Sequence, residues 1–308
     1  MSEQRIVSFL PSATEMIYAL GLGDRLVGRS HECDYPPEVR SKPKLVDCVL
    51  DLSKLTMAEI DAAVTKRIAS GQSLYSVDEA KLRAAAPDLL VTQNLCQVCG
   101  PSGNEVSQVL KSISPAPKIL WQTPRTIAEV YECLMELGRE TGTSPRAEAI
   151  VADYRRRRKA VAERVPRGRP RRVSFFEWVD PVYGGGHWVP EMLSILNAED
   201  PNSRMGKDSV RISWADVLKH DPETAIVAPC GFNLEKAVEQ AGIIRRREDW
   251  ENTAAFKRGA VFAADANSYY ARPGPRIIDG LELMAHMIYP DVFKWTGADD
   301  AFKRLTGG

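Results

Sequence analysis

The stretch "RIVSFLPSATEMIYALGLGDRLVG" (residues 5–28) constrains the fold more than any other. Ile6–Leu10 is a short apolar run that stops at Pro11, the pattern of a buried strand. Ala13, Met16, Ile17 and Leu20 then fall at i, i+3, i+4 and i+7, one face of a helix. Ser12 and Glu15 have the spacing of a capping box at its start, and Gly21 and Gly23 close it. "RLVGRS" reads as a second strand. Strand, helix and strand in that order make one unit of a parallel sheet.

The pattern recurs along the chain. "AKLRAAA" is helical and stopped by Pro87, "DLLVTQ" is a strand, "NEVSQVLKSI" a helix and "KILWQ" a strand. Residues 1–124 thus read as an N-terminal α/β lobe. Residues 125–165 are mostly helical, with Ile127, Val130, Tyr131, Leu134 and Leu137 on one face. Pro145, in "TGTSPR", lacks the amide a helix interior needs and interrupts them. No Gly/Ser linker is present, so residues 125–165 read as a stiff linking helix. From 166 to 308 a second α/β lobe succeeds it: strands "RRVSFFEW", "TAIVAP" and "GAVFAA", and helices "VPEMLSILNA", "WADVLKHDP", "NLEKAVEQAG" and "PRIIDGLELMAHMIY". The expected fold is α/β, with two Rossmann-like lobes carrying parallel sheets.

Composition narrows the partners. The 308 residues hold 41 Lys plus Arg and 41 Asp plus Glu, a balance that gives no reason to expect nucleic acid. The basic run Arg155–Lys159, with Arg164, Arg167, Arg169, Arg171 and Arg172, reads as a solvated face. No apolar run approaches the ~20 residues of a membrane helix, so no membrane insertion is expected. No secretory signal is seen in the sequence. The expected setting is therefore cytoplasmic, or periplasmic or lipid-anchored if an export signal lies outside this sequence. The six cysteines are then expected as thiols, with Cys133 a buried small hydrophobe.

Ligands of open parallel sheets bind beyond the carboxyl ends of the strands. The segments just past the expected strands are rich in chemistry: His31-Glu32-Cys33, then Asn94 to Cys99, then Tyr183 to Trp188, then Cys230-Gly231-Phe232, then Tyr269, Tyr270 and Arg272. Cys96 and Cys99 have the spacing of half a zinc site, which His31 and Cys33 would complete. They also fit a redox pair, packing thiols, or thiols lining a ligand. His187 comes after three glycines that let a backbone approach a ligand closely, or it is a plain surface-loop histidine. No phosphate-loop motif is present. His220 and His286 lie on expected helices and read as structural.

These residues carry a resemblance. "RIVSFLPSATEMIYALGLGDRLVG", "HECDYPPEV", "PDLLVTQ" and "SYYARPGPRIIDGLELMAHMIYP" resemble the helical-backbone substrate-binding proteins of ABC transporters, and within them the cobalamin-binding branch. The resemblance implies two α/β lobes with a ligand cleft between them, and a corrinoid or related metal chelate as ligand, with no cofactor required and zinc possible. It implies a binding set of Pro11, Ser12, His31, Cys33, Tyr35, Gln93, Asn94 and Cys96 from the first lobe. The second lobe would add Trp178, His187, Trp188, Tyr269, Tyr270 and Arg272. Aromatic rings suit a flat macrocycle, and a His or thiolate could ligate its metal. An ABC permease would dock at one acidic residue per lobe. Glu105 matches the first, but Ala215 stands at the second position with Asp216 adjacent. The function expected is non-catalytic binding. The alternatives are a cytoplasmic metal- or thiol-dependent enzyme using His31, Cys33, Cys96 and Cys99, and a scaffold that has lost its ligand.

Overall fold

The structure, a computed structural model, describes residues 3–52, 54–93 and 113–305. The chain divides into two compact units: Met1–Pro124 with Glu129–Val151, and Arg125–Ala128 with Ala152–Gly308. Each is built on its own sheet. No helix of the described residues is long and apolar enough to cross a membrane.

In the first unit, β1 (Ile6–Ser8) leads through α1 (Pro11–Ala19) to β2 (Leu26–Ser30). Then come β3 (Lys44–Cys48), α2 (Met57–Ala69), β4 (Tyr75–Val77), α3 (Glu79–Ala85), β5 (Leu89–Thr92) and β6 (Lys118–Trp121). The strand order is β4-β3-β2-β1-β5-β6. Every neighbouring pair is parallel except β3 with β4. Central strands of such a sheet are covered on both faces and read as continuous apolar runs, and all of β1 and β5 is buried. On one face Val7, Phe9, Leu45, Leu82 and Leu90 form one cluster.

Two local expectations change. The capping box at Ser12 and Glu15 is not made. Pro11 takes the first helical position, where its fixed φ fits and its missing amide costs nothing. Leu10 becomes the N-cap without a side-chain bond, Ser12 is buried in the first turn, and Glu15 is buried just beyond it. A true capping box instead opens α2, where the Thr56 hydroxyl accepts from the Glu59 amide and the Glu59 carboxylate accepts from the Thr56 amide. The helix expected over "NEVSQVLKSI" lies, but for Ile113, outside the described residues.

The helical stretch after β6 is two helices, α4 (Ile127–Thr141) and α5 (Ser144–Arg164). The break falls at Gly142, whose φ of +73° favours glycine. Gly138 allows the two helices to approach closely, because a Cβ there would lie 2.6 Å from the Ala147 Cβ.

The second unit contains β7 (Arg171–Val179), β8 (Val182–Gly184), α6 (Val189–Ile195), β9 (Ala198–Glu199), α7 (Trp214–His220) and β10 (Thr224–Val227). It continues with α8 (Leu234–Arg245), α9 (Ala254–Lys257), β11 (Val261–Ala264), α10 (Ala266–Tyr269), α11 (Ile277–Ile288) and β12 (Phe302–Arg304). The order is β12-β11-β10-β7-β8, with β9 beside β7. β7, β10 and β11 are mutually parallel, whereas β8 and β12 run antiparallel to their neighbours. His220 and His286 are structural as expected, facing the Val173 and Phe293 carbonyls at 3.1 and 2.9 Å.

Gly280, on α11, is a contact point in this unit. A Cβ there would lie 2.2 Å from the Tyr269 carbonyl oxygen. Backbone cannot swing aside as a side-chain tip does. Gly280→Ala is expected to destabilise the unit by about 1–3 kcal/mol, read from the urea midpoint.

Candidate functional site

β1 and β5 are neighbours, and the chain leaves β1 toward β2 but leaves β5 toward β6, in opposite directions along the sheet. That switch point is where open α/β sheets bind ligands. Pro11 and Ser12 come after β1 and Gln93 after β5, all three buried. His31 comes directly after β2. Its amide donates to the Val46 carbonyl at 3.0 Å, and its ring centre lies 6.0 Å from that of Tyr75. Its Nδ1 is buried and has no hydrogen-bond partner among the described residues. Cys33 is buried, and the Thr14 hydroxyl of α1 donates to its sulfur at 3.1 Å. The thiol therefore packs under the helix rather than opening to solvent.

Tyr35, Val49, Leu55 and Trp121 are the exposed large hydrophobic residues described in this unit, between 37% and 45% exposed. All four lie past or close a parallel strand at its carboxyl end: Tyr35 after β2, Val49 and Leu55 after β3, Trp121 at the end of β6. Their shared edge makes this side of the sheet the candidate site.

Asn94, Cys96, Cys99 and Glu105 lie outside the described residues, so only His31 and Cys33 of the expected metal set are seen. Among the described residues no three His, Cys, Asp or Glu are grouped to hold a metal ion. Cys33, Cys48, Cys133 and Cys230 are thiols rather than disulfides. Burial, with Glu136, Glu129 and Glu132 nearby, pushes the Cys133 thiol up to about 12, which keeps it protonated and inert.

In the second unit β7 turns at Asp180-Pro181 and returns as β8, setting Gly184 beside Phe176. This hairpin extends past the end of β10, whose Val227 also pairs with Phe176. The half-buried Trp178 on the hairpin lies 5.7 Å, ring to ring, from Phe232, in the loop after β10. Cys230 is in the same loop, and its amide donates to the Glu177 carbonyl at 3.1 Å.

The three glycines serve packing rather than an open approach to a ligand. A Cβ on Gly184 would lie 2.4 Å from the Asn202 carbonyl oxygen, and one on Gly186 would lie 2.5 Å from the Ser209 nitrogen. Residues 202–209 occupy that space. His187 is accordingly not a plain surface-loop residue. It has φ +52°, its amide donates to the Lys207 carbonyl at 2.7 Å, and its Nε2 lies 3.0 Å from Asp208. Asp208 also meets Arg125 at 3.2 Å. Burial lowers the His187 pKa in spite of Asp208.

Trp188, Tyr269 and Tyr270 come together, but inside the lobe. Trp188 Nε1 donates to the Tyr270 carbonyl at 2.8 Å, and the Tyr270 hydroxyl donates to the Gly280 carbonyl at 3.2 Å. Tyr269 packs edge-on against Trp295 at 5.7 Å, and burial pushes its phenol up to about 12. These rings form an interior framework, and Arg272, two residues past Tyr270, is half-buried and engaged. Asp216 lies in the first turn of α7, where its carboxylate accepts the Ser213 hydroxyl at 2.6 Å.

Sequence reasoning left Trp121, Phe232 and Glu177 out of the binding set, although it named Phe232 among the residues past "TAIVAP". Each left a signal: an aromatic closing "KILWQ", an aromatic in the loop after "TAIVAP", and a lone charge inside "SFFEW". The Glu177 carboxylate accepts the Gly186 amide at 3.0 Å. Burial and the nearby Asp208 raise its pKa from 4.5 to about 7, against the pull of Gly186 and Ser209. Its proton is thus held more tightly in the folded chain. The stability this confers is complete below the ordinary carboxyl value and is lost as pH rises through about 7. Glu177→Gln is therefore expected to gain on the parent by on the order of 3 kcal/mol between pH 5 and pH 8. Paired urea unfolding at the two pH values measures the difference; an unchanged gap would show that Glu177 does not titrate there.

Comparison with known proteins agrees with this architecture. Residues 6–268 match the family described as periplasmic binding protein. An uncharacterized ABC transporter substrate-binding lipoprotein of Bacillus subtilis is 27% identical over 297 residues, covering 94% of this chain and 82% of its own. A vitamin B12-binding protein of Vibrio cholerae is 23% identical over 282 residues, covering 91% and 87%. Among solved structures, a periplasmic heme-binding protein of Pseudomonas aeruginosa superposes with a TM-score of 0.74 at 18% identity, over 100% of both chains. The periplasmic vitamin B12-binding protein of Vibrio cholerae gives 0.68 at 20% identity, over 92% of this chain and 96% of its own. With a family match spanning most of its length and the same two-sheet architecture, the chain belongs to the periplasmic binding protein family.

Proposed function

We propose that the chain binds a corrinoid or related metal chelate without transforming it, and passes it to an ABC permease. The observation that carries this reading is the placement of exposed apolar groups at carboxyl ends of parallel strands. In the first lobe these are Tyr35, Val49, Leu55 and Trp121. In the second, Trp178 and Phe232 make a half-buried aromatic pair at the corresponding edge. Rings and aliphatic groups of this kind suit a large flat macrocycle, each aromatic burying ~150–250 Å². Pro11, Ser12 and Gln93 at the switch point, and Arg272, add groups for peripheral amides or carboxylates. His31 has a buried ring nitrogen without a hydrogen-bond partner among the described residues, a candidate for ligating the chelated metal once a ligand opens access to it. The names of relatives support both ligand classes, vitamin B12 and heme.

The cytoplasmic setting expected from the sequence finds no support among these relatives, which are named as periplasmic or as a lipoprotein. A place outside the cytoplasm, beside a permease, fits them. Glu105 and Asp216 are the proposed docking carboxylates, Asp216 exposed at the start of α7.

Titration of the purified chain with cobalamin, cobinamide and hemin, monitored by absorbance and tryptophan fluorescence, tests the reading. Saturable binding of one is expected, weakened about tenfold by Trp178→Ala. No binding of any of the three up to about 100 µM would overturn it.

A further inference from the structure

The basic run of residues 155–172 does not behave as one solvated face. Arg157 is committed to Glu282 at 2.9 and 2.6 Å and to Asp279. Arg156 pairs with Asp153, and Lys159 lies 3.7 Å from Glu163. Arg164 donates to the Val292 carbonyl at 2.6 Å, and Arg172 meets Asp221 at 2.9 Å. Arg169 and Arg171 do something else. With Arg258, which lies just before β11, they converge on one carboxylate.

That carboxylate is Glu223, which is 2% exposed and stands immediately before β10. Arg169 forks onto it at 2.9 and 2.8 Å. Arg258 reaches it at 3.0 Å, Arg171 at 3.5 Å, and the Arg172 amide donates at 3.3 Å. Burial would raise its pKa, but Arg169, the Arg172 amide and Arg258 bring it down to about 2. It is therefore a single fixed negative charge facing three positive ones.

Balancing Glu223 needs one guanidinium, and the Arg169 fork supplies it. Arg171 and Arg258 are surplus. Glu199, on β9, also lies within electrostatic range of Arg169. Arg304 adds a further cation, donating to the Arg258 and Gly259 carbonyls at 3.1 and 2.7 Å. Four guanidinium charges against two carboxylates leave two positive charges at this spot, in a chain with no net charge. The three converging side chains remain 41–60% exposed. Each guanidinium carries five donors, of which Glu223 takes only one or two.

We propose that Arg169, Arg171 and Arg258 form a binding site for a phosphate-type oxyanion. It lies at the amino edge of the second sheet, where β7, β10 and β11 begin. Guanidinium forks match phosphate oxygens two at a time. The shared contact with Glu223 pre-orders the forks, so less side-chain freedom is lost when an anion arrives. A free phosphate and a phospholipid headgroup present the same chemistry here. The proposal stands apart from chelate binding and does not depend on it.

The test uses the full chain at low ionic strength. Calorimetry with inorganic phosphate and pyrophosphate, against chloride at matched ionic strength, reads the free anion. Co-sedimentation with phosphatidylglycerol vesicles, against phosphatidylcholine vesicles, reads the headgroup. Saturable binding that weakens as salt rises is expected in at least one arm, and the arm that responds identifies the source. The double variant Arg171→Gln/Arg258→Gln leaves the Arg169–Glu223 fork intact and is expected to bind about tenfold more weakly. Arg258→Lys, which keeps the charge but not the fork, is expected to fall between. Should the double variant lose its cooperative thermal transition, Arg171→Gln alone, the most weakly held of the three, replaces it with the same direction expected. No binding in either arm, or folded variants that bind as the parent does, would overturn the site.

Discussion

The three residues of β1 are buried and flanked on both sides by strands that run the same way. Parallel neighbours cannot be joined by a tight turn, so each pairing demands a crossover connection. Loops leaving the carboxyl ends of the parallel strands therefore gather at one edge of the sheet. In the first lobe that edge carries Pro11, His31, Tyr35, Val49, Gln93 and Trp121 without any of them being neighbours in sequence. One backbone constraint thus assembles the candidate site.

The second lobe uses the same constraint with a different division of labour. At its carboxyl edge the Glu177–Gly184 hairpin raises Trp178 beside Phe232. Below it, Trp188, Tyr270 and Gly280 are linked by two hydrogen bonds that satisfy the Trp188 indole and the Tyr270 phenol. A buried polar group without a partner costs free energy, so these bonds allow the large rings to serve as scaffold. The amino edge is dominated by charge instead. There Glu223 draws Arg169, Arg171 and Arg258 together, although Arg258 lies far from the others along the chain. An aromatic edge and a cationic edge on one sheet suit two different kinds of ligand.

Much of this was legible in the residues. The runs at Ile6–Leu10, "DLLVTQ", "RRVSFFEW", "TAIVAP" and "GAVFAA" are strands because buried parallel strands need apolar groups on both faces. β3, α2 and β4 were harder to see. β3, "KLVDC", sits near the sheet margin and mixes charge with apolar groups, while α2 buries only Met57 and Ile60. The capping reading failed at Ser12 because Pro11 claimed the first helical position. For the site, edge position was readable from the residues just past each strand, but burial was not. Trp188, Tyr269 and Tyr270 look like ring faces for a ligand in sequence and prove to be interior.

By itself the sequence determined the two α/β lobes, the strand and helix succession, and the set of residues delivered to the carboxyl edges. Periodicity and apolar runs are local properties, and they suffice for that. The tertiary structure alone decided which delivered residues are framework and which stay exposed. It also decided that three glycines serve the packing of residues 202–209, and that Arg169, Arg171 and Arg258 share Glu223. Those outcomes depend on contacts between segments distant in the chain, where burial and electrostatics are set by neighbours that no local pattern names.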